Sequence, residues 1–186
     1  MKEFAERGFS NASTNEIVKQ AEISKGLLFH YFDNKKQLFL YIYDYCLDIS
    51  LKELYDQVDM EETDLCEKLR QLQQLKLEIA ERHPAFFRFF ETAYSDTSPD
   101  IKDVVDQRNT ATLLESMEKL FHNIDAAKFK DGTDIAKVMN IIIWSLEGLG
   151  NQLLKQAKLT GQALDYAAAI KQVDEYIDLL KHSFYK

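Results

Sequence analysis

The chain has 186 residues, of which 46% are hydrophobic and 29% are charged, and its formal net charge is −8. With only six glycines and two prolines it lacks the turn formers of a β-barrel or sandwich, and its short apolar runs, interrupted by charge, exclude a membrane span. No segment has the pattern of a secretory signal. We therefore expect a nearly all-α, cytoplasmic protein with ample core and no membrane partner.

The first residues predict a short helix, followed by a second helix with a defined start. Residues 1–9 have the pattern of the last turns of a helix, with Gly8 as its left-handed stop. Ser13 and Glu16 are spaced as a capping box, in which each side chain binds the backbone N–H of the other residue. A helix should therefore begin there and end just before a tight turn at residues 21–23.

The tight turn leads into another short helix, which Ser24 caps. We expect Ile17 and Ile23 to pin the two helices together, and helical spacing turns Leu28 and Phe32 inward. The outward positions carry a cation, a glycine, a leucine, a histidine and a tyrosine: Lys25, Gly26, Leu27, His30 and Tyr31. Such a face suits base edges and phosphate oxygens, which predicts a helix-turn-helix whose second helix enters the major groove of DNA.

The pattern over residues 4–39 resembles the DNA-binding domain of the TetR family of bacterial transcriptional regulators. The resemblance rests on spaced matches at Phe4, Gly8, Phe9, Ser13, Thr14, Ile17, Ala21, Ile23, Ser24, Gly26, Leu28, Tyr31, Phe32, Lys35, Leu38 and Phe39. It implies a three-helix DNA-binding domain over residues 1–45 and a larger helical ligand-binding and dimerisation domain over residues 46–186. It also implies a longer first helix, so we expect this one to be truncated at Met1.

The resemblance also implies roles for individual residues of the helix-turn-helix. Thr14 and Tyr31 would hold phosphates, and Lys35 would hold another at the start of the next helix. The residues nearest the bases would be Lys25, Leu27 and His30, while Ser24 and Gly26 complete the predicted DNA-binding set. Phe29 stands where tyrosine is common, and Leu27 where a small or polar residue is common, so the operator sequence stays undetermined.

The acidity of the chain lies outside the predicted DNA-binding domain. Residues 1–45 contain six Lys and Arg residues against six Asp and Glu residues, so the net charge of −8 belongs to residues 46–186. An acidic body should reduce non-specific attraction to phosphate, while Lys25, Lys35 and Lys36 keep a local positive footprint.

The rest of the chain is predicted to form six further helices. These run from an Asn34 cap to about Val58, over residues 62–82, from Pro84 to a turn at residues 95–99, over residues 100–123, from a Thr133 or Asp134 cap to about Leu159, and over residues 162–184. The helix that Asn34 caps begins at the predicted phosphate contact and continues into the body. We expect it to be the lever between an effector and the DNA.

The predicted effector is a small apolar or aromatic molecule that binds inside the helical body. The helix that starts at Pro84 has too many aromatic residues for a surface helix, and most of them are expected in the core. The candidate pocket residues are Phe90, Tyr94, Asn140, Trp144 and Glu147. A buried Glu147 would favour a cationic effector. Arg108 is either solvated or, if buried, a partner for a carboxylate or phosphate on the effector.

The last two helices are candidates for a dimer interface. The centre of the helix before the last is apolar on more than one face, and Gly148 allows close approach of another helix. The last helix has a heptad seam at Tyr166, Ile170, Val173, Ile177, Leu180 and Phe184. This seam could dock inside its own domain, but the resemblance implies a four-helix homodimer interface. A homodimer would bind a near-palindromic operator with half-sites about one DNA turn (~34 Å) or a multiple of it apart.

The sequence thus predicts a ligand-responsive transcriptional regulator, most often a repressor in the family it resembles, with no cofactor. An alternative is a helical interaction module that keeps the helix-turn-helix without binding DNA. A helical enzyme is disfavoured because no catalytic order, phosphate-cradling loop or carboxylate pair stands out. The isolated Cys46 and Cys66 are expected as free thiols rather than a redox switch, and the scattered histidines, His30, His83, His122 and His182, disfavour a metal site.

Overall fold

The computed structural model describes residues 1–161 and 164–186 and confirms the predicted all-α architecture in that part of the chain. The helices are α1 (Lys2–Asn11), α2 (Thr14–Gln20), α3 (Lys25–Tyr31), α4 (Lys35–Gln57), α5 (Leu65–Arg82), α6 (Pro84–Ser95), α7 (Lys102–Phe121), α8 (Ile135–Thr160) and α9 (Tyr166–Phe184). Their ends differ from the predicted ones by a few residues, as is usual for helix termini. The predicted start of the last helix at Gln162 lies outside the described residues.

The first of two compact units consists of Met1–Asp56 and Ile79–Ser116. Its core is aromatic: Phe4 and Phe89 are fully buried and Phe39 is 1% exposed. The Phe39 ring lies 5.1 Å from both of the other two rings, edge-on to Phe4 and tilted against Phe89. Because α6 packs against α1, this unit includes residues well beyond the predicted domain boundary at residue 45. That boundary stays a prediction of where the DNA-binding function ends.

Gly8 interrupts α1 with a kink. Its backbone has φ +71° and ψ 176°, and one more helical turn follows as far as Asn11. The helix is therefore interrupted at Gly8 as predicted, but its ψ of 176° is not that of a left-handed helical stop, and the chain resumes a helical turn after it. The kink leaves the Phe9 N–H without a helical acceptor, and it donates to Asp96 Oδ2 at 2.7 Å, in the loop after α6.

The conformation of Gly8 leads to the first prediction. Gly8→Ala should destabilise the first unit by about 2 kcal/mol, because few residues other than glycine adopt this φ/ψ combination. An added Cβ would also lie 3.1 Å from Asp96 Oδ2. Urea unfolding followed by circular dichroism measures the change. Gly26→Ala is the matched control, since a Cβ there would make only an ordinary 3.9 Å contact with Ser24 Oγ. Equal losses in the two variants would rule out the role of Gly8.

The second compact unit consists of Gln57–Glu78 and Met117–Lys186. Buried residues of α5, α8 and α9 form its core, including Leu65, Ile142 and Ile177. The sequence did not predict how this unit is closed. A short 3₁₀ helix, Ala126–Lys128, leads into an isolated antiparallel bridge between Phe129 and Tyr185, which fastens the end of the chain.

None of the helices in the described ranges is both long enough and apolar enough to cross a lipid bilayer.

Candidate nucleic-acid interface

The structure forms the predicted helix-turn-helix from α2 and α3. Ser24 Oγ accepts the Leu27 N–H at 3.0 Å, and Ser13 Oγ accepts the Glu16 N–H at 3.5 Å, so each helix begins at its predicted cap. In the turn, Glu22 has a left-handed backbone conformation with φ +54°. The sequence did not predict this conformation, because it is usually adopted by glycine or asparagine.

The second half of the predicted capping box is absent. The Ser13 N–H donates to Glu3 Oε1 at 3.0 Å, in place of the Glu16 side chain. Glu3 is only 3% exposed, and Arg7 lies 3.3 Å from the same oxygen. The correction has a physical reason: α1 supplies a charged acceptor at the start of α2, and a charge-assisted hydrogen bond is stronger than a local one.

The contact predicted between Ile17 and Ile23 stays a prediction, and the two residues differ in burial. Ile17 and Val18 pack against the core of the first unit, whereas Ile23 is 37% exposed. The Ile23 N–H donates to the Val18 carbonyl at 3.1 Å, so a backbone bond holds the turn.

The outward face of α3 is exposed over its whole length. Lys25, Gly26, Leu27, His30 and Tyr31 are all exposed, with Tyr31 as much as 73% accessible. Leu28, in contrast, is 4% exposed in the core. The His30 and Tyr31 rings lie edge to face with centroids 5.3 Å apart. The ammonium group of Lys25, the imidazole of His30 and the phenol of Tyr31 are thus exposed on the same helix as the apolar Leu27. Their role in DNA binding stays a prediction.

Lys35 is held by its own unit. Its ammonium group donates to the carbonyl oxygens of Ser10 at 3.1 Å and Ala12 at 3.3 Å, and lies 4.7 Å from the centroid of the Phe9 ring. These bonds satisfy carbonyls at the end of α1. The predicted phosphate contact by Lys35 would compete with this role, and Lys25 is the better residue for a test. Thr14, the other predicted phosphate ligand beside Tyr31, is half-buried at the start of α2.

The predicted effector residues fall in different parts of the chain. Phe90 and Tyr94 lie on α6 in the first unit, where the Phe90 ring joins the aromatic core and Tyr94 is 42% exposed. Asn140, Trp144 and Glu147 lie on α8 in the second unit, and all three are exposed, Trp144 by 67%. Neither unit brings the five together, and the exposed Glu147 gives no reason to expect a cationic effector.

Arg108 differs from both alternatives that the sequence left open. Its guanidinium lies 2.9 Å from Asp44 Oδ1 and donates to the Leu40 carbonyl at 3.3 Å. Its charge is compensated inside the first unit, so neither a solvated side chain nor an anionic effector is needed to explain it.

An open depression of about 520 Å³ lies in the second unit. It is lined by Lys130, Asp178, Lys181, His182, Tyr185 and Lys186, none of them a predicted effector residue. The ammonium groups of all three lysines already bond to carbonyl or carboxylate oxygens of the same unit.

The heptad seam of α9 faces the core of its own unit. Ile177 is 1% exposed in the single chain, and Val173, Leu180 and Phe184 pack against the same cluster. Tyr166 and Ile170, the other two seam positions, are half-buried. Ile177 therefore has almost no surface left for a partner, and its predicted place in a dimer interface is corrected. For the half-buried seam residues the dimer interface stays a prediction.

Other apolar residues are exposed on each of the helices α8 and α9, and we call this set of residues the outer face. It consists of Ile141, Trp144 and Gly148 on α8 with Tyr176 and Leu179 on α9, all exposed. The three α8 residues follow helical spacing and form one stripe. A Cβ added at Gly148 would meet no atom of the described residues within 4 Å, so none of them requires a glycine there.

Both cysteines are buried free thiols, as predicted. Burial raises the pKa of the Cys46 thiol to about 11 and also raises the pKa of the Cys66 thiol. The thiolate is the form that reacts with oxidants, so the redox-switch alternative loses its chemical basis.

Comparison with known proteins gives a family for the N-terminal segment and a fold for the whole chain. Residues 1–42 match the family described as bacterial regulatory proteins of the tetR family. A TetR family transcriptional regulator from Chloroflexus aurantiacus J-10-FL is 19% identical with a TM-score of 0.58, over 100% of this chain and 89% of that one. A putative fatty acid metabolism regulator from Clostridium perfringens is 21% identical with a TM-score of 0.61, over 95% and 92% of the two chains.

A TetR family transcriptional regulator from Thermus thermophilus is likewise 19% identical with a TM-score of 0.55, over 97% of this chain and 93% of that one. No curated protein sequence matches the chain. Likenesses at such identities show the fold alone, whereas the N-terminal match covers the residues of the helix-turn-helix. Residues 1–42 thus match the tetR family of bacterial regulatory proteins, and the chain as a whole shares the fold of these solved TetR family regulators.

Proposed function

We propose that this regulator is a cytoplasmic repressor that binds a near-palindromic DNA operator through α3 as a homodimer, and that a small-molecule effector releases it. The observation that carries the DNA-binding part is the outward face of α3, where all five predicted groove-facing residues are exposed and Leu28 is buried. A helix whose only role was packing would have no reason to present a lysine, a histidine and a tyrosine side by side.

The distribution of charge supports a localised DNA contact. The chain carries −8 overall, but residues 1–45 are neutral in sum. Repulsion between the acidic body and DNA lowers non-specific binding. The few cations near α3 therefore determine which surface of the protein binds DNA.

The homodimer is proposed to form through the outer face of α8 and α9. Large apolar side chains such as Trp144 and Leu179 are 67% and 61% exposed, and burying them against a second copy would remove apolar area from water. Such a dimer carries two recognition helices and calls for an operator with inverted half-sites.

The effector is proposed to act through α4. This helix begins at Lys35, directly after the recognition helix, and runs unbroken to Gln57. A shift of α4 would change how two recognition helices fit their half-sites. To reverse operator occupancy from 99:1 to 1:99, the effector must prefer the released state by about 10⁴-fold.

The test is binding of the purified protein to genomic DNA fragments enriched by repeated selection, read by fluorescence anisotropy at several salt concentrations. We expect a short inverted repeat, and Lys25→Ala should weaken its binding by about tenfold or more and lower the salt-dependence slope by about one. Lys52→Ala is the matched control, because Lys52 is also exposed and in the same unit but lies near the C-terminal end of α4, far along the chain from α3. Unchanged affinity in the Lys25 variant, or no enriched sequence at all, would favour the interaction module instead.

A further inference from the structure

Leu27 presents a large apolar side chain on the outward surface of α3. It is 43% exposed, whereas its neighbour Leu28 is 4% exposed. Leu27 belongs neither to the buried core of the first unit nor to the partly buried hydrophobic residues that pack against that core. The other outward side chains of α3, those of Lys25, His30 and Tyr31, all carry polar groups. A single exposed leucine is common on protein surfaces, so its surroundings determine what it indicates.

The backbone around Leu27 is held in place by its own unit. The Leu27 N–H donates to Ser24 Oγ at 3.0 Å, and the Leu28 N–H donates to the Ser24 carbonyl at 3.1 Å. The buried Leu28 side chain anchors the same helical turn in the core. A side chain that projects from a fixed backbone loses little further conformational freedom on binding, which suits Leu27 to a specific contact.

Gly26, beside Leu27, leaves open space in front of the first turn of α3. Successive residues of an α-helix are rotated by about 100°, so Gly26, two residues before Leu28, lies nearly opposite the buried side of the helix. Glycine destabilises a helix relative to alanine. A Cβ added at Gly26 would make only an ordinary 3.9 Å contact with Ser24 Oγ, so no described residue requires a glycine there. The space instead lets a partner come close to the helix backbone beside Leu27.

In the proposed complex with DNA, that partner is the floor of the major groove. The base edges there present nitrogen and oxygen donors and acceptors, and their one apolar group is the 5-methyl group of thymine. A leucine side chain gains free energy when it and this methyl group leave water together. Against any other base edge it would remove water from polar groups without replacing their hydrogen bonds.

We propose that Leu27 is a specificity-determining residue, which recognises the 5-methyl group of a thymine in each half-site of the operator. The inference rests on the proposed function for the existence of the complex, and it adds which chemical group of the DNA α3 recognises. Burial of one methyl group against an apolar side chain corresponds to about a fivefold gain in affinity.

The experiment replaces each thymine of one half-site of the selected operator, in turn, by 2′-deoxyuridine, which lacks only the methyl group. Fluorescence anisotropy should show a loss of about fivefold in wild-type affinity at one of these positions. Leu27→Ala should bind the thymine and uracil forms of that position equally, because the side chain that contacts the methyl group is gone. Leu27→Met should retain the loss, since methionine keeps an apolar side chain of similar size.

Two control variants separate the contact from a general weakening of binding. Leu114→Ala should behave as wild type, because Leu114 is a 63% exposed leucine of the same unit but lies on α7. His30→Ala removes another outward side chain of α3, so it should weaken operator binding and still keep the loss on uracil substitution. Thermal unfolding checks the fold of Leu27→Ala, and we expect the wild-type transition because Leu27 lies outside the core.

Three results would overturn the inference: no thymine whose methyl group affects wild-type affinity, a uracil loss that persists in Leu27→Ala, or a loss that disappears equally in His30→Ala. Each of these leaves a protein that binds its operator, and refutes the role of Leu27 alone. Selection that enriches no DNA sequence refutes the proposed repressor, and the thymine contact with it.

Discussion

Asp64→Ala is expected to destabilise the second unit by about 3 kcal/mol, more than loss of an ordinary helix cap. Asp64 is 7% exposed and directly precedes α5. Its Oδ1 accepts the N–H groups of Cys66 at 2.9 Å and Glu67 at 3.2 Å and the hydroxyl of Tyr185 at 3.0 Å. Its Oδ2 lies 3.0 Å from the ammonium of Lys128. The substitution would remove the acceptor shared by donors from three separate segments.

Asp134→Ala is the matched control for this experiment. Asp134 also caps a helix, accepting the Lys137 N–H at 3.2 Å, but its side chain is 51% exposed, and among the described residues it bonds only within that first turn. Its loss should cost about 1 kcal/mol, the usual effect of removing a cap. Urea unfolding of both variants measures the difference, and equal losses would show that Asp64 acts only as a cap.

The titration of Asp64 gives the same prediction a pH dependence. Burial by itself would raise the pKa of this carboxyl, but the bonds from Lys128, the Glu67 N–H and the Tyr185 hydroxyl outweigh it and hold the pKa below its ordinary value of 3.8. A carboxyl with a lowered pKa in the folded state stabilises the fold above its unfolded pKa and loses that contribution as pH falls through the folded pKa. The stability advantage of the wild type over Asp64→Asn should therefore be constant near neutrality and shrink below about pH 4.

The local parts of the DNA-binding region could be predicted from the sequence because local interactions determine them. A serine that directly precedes a helix can accept an N–H three residues later through a purely local hydrogen bond, and Ser13 and Ser24 both do so. The helical repeat by itself predicts that Leu28 is buried and that the opposite face of α3 is exposed, as the structure shows. Pro84 at the start of α6 is a signal of the same kind.

The parts that could not be predicted depend on residues distant in sequence. Nothing near Ser13 indicates that Glu3 would occupy its N–H, and nothing near Phe9 indicates Asp96, 87 residues away. A lysine such as Lys35 can serve a phosphate or two carbonyls equally well, and only the fold brings the carbonyls within reach.

The heptad seam of α9 shows a further limit of pattern analysis. A spacing of three and four residues predicts which side chains of a helix are buried together. It does not predict whether the same chain or a second copy covers them. Ile177 turned out to be a residue of the subunit core. The positions that remain for a second copy, Tyr176 and Leu179, look irregular in the sequence because they lie between the seam residues.

Leu179→Arg and Trp144→Arg are each expected to dissociate the homodimer, because either substitution would place a charge in the centre of the proposed apolar interface. Large side chains at the centre of an interface contribute about 2 kcal/mol or more, which corresponds to a roughly thirtyfold rise in the dimer dissociation constant. An unpaired buried guanidinium adds to that loss. Sedimentation equilibrium should show dimers for the wild type and monomers for both variants at micromolar concentration.

The same variants should lose operator binding without any change in α3. Two recognition helices on one dimer bind the second half-site at high effective concentration, and a monomer forfeits this advantage, about 10² or more in affinity. Leu114→Arg is the matched control: Leu114 on α7 is 63% exposed, nearly the same as Leu179, but lies outside the outer face. It should leave both the dimer and the operator affinity intact. If Leu114→Arg dissociates the dimer while Leu179→Arg does not, the interface lies in the first unit, and the exposed Trp144 and Leu179 must serve another contact.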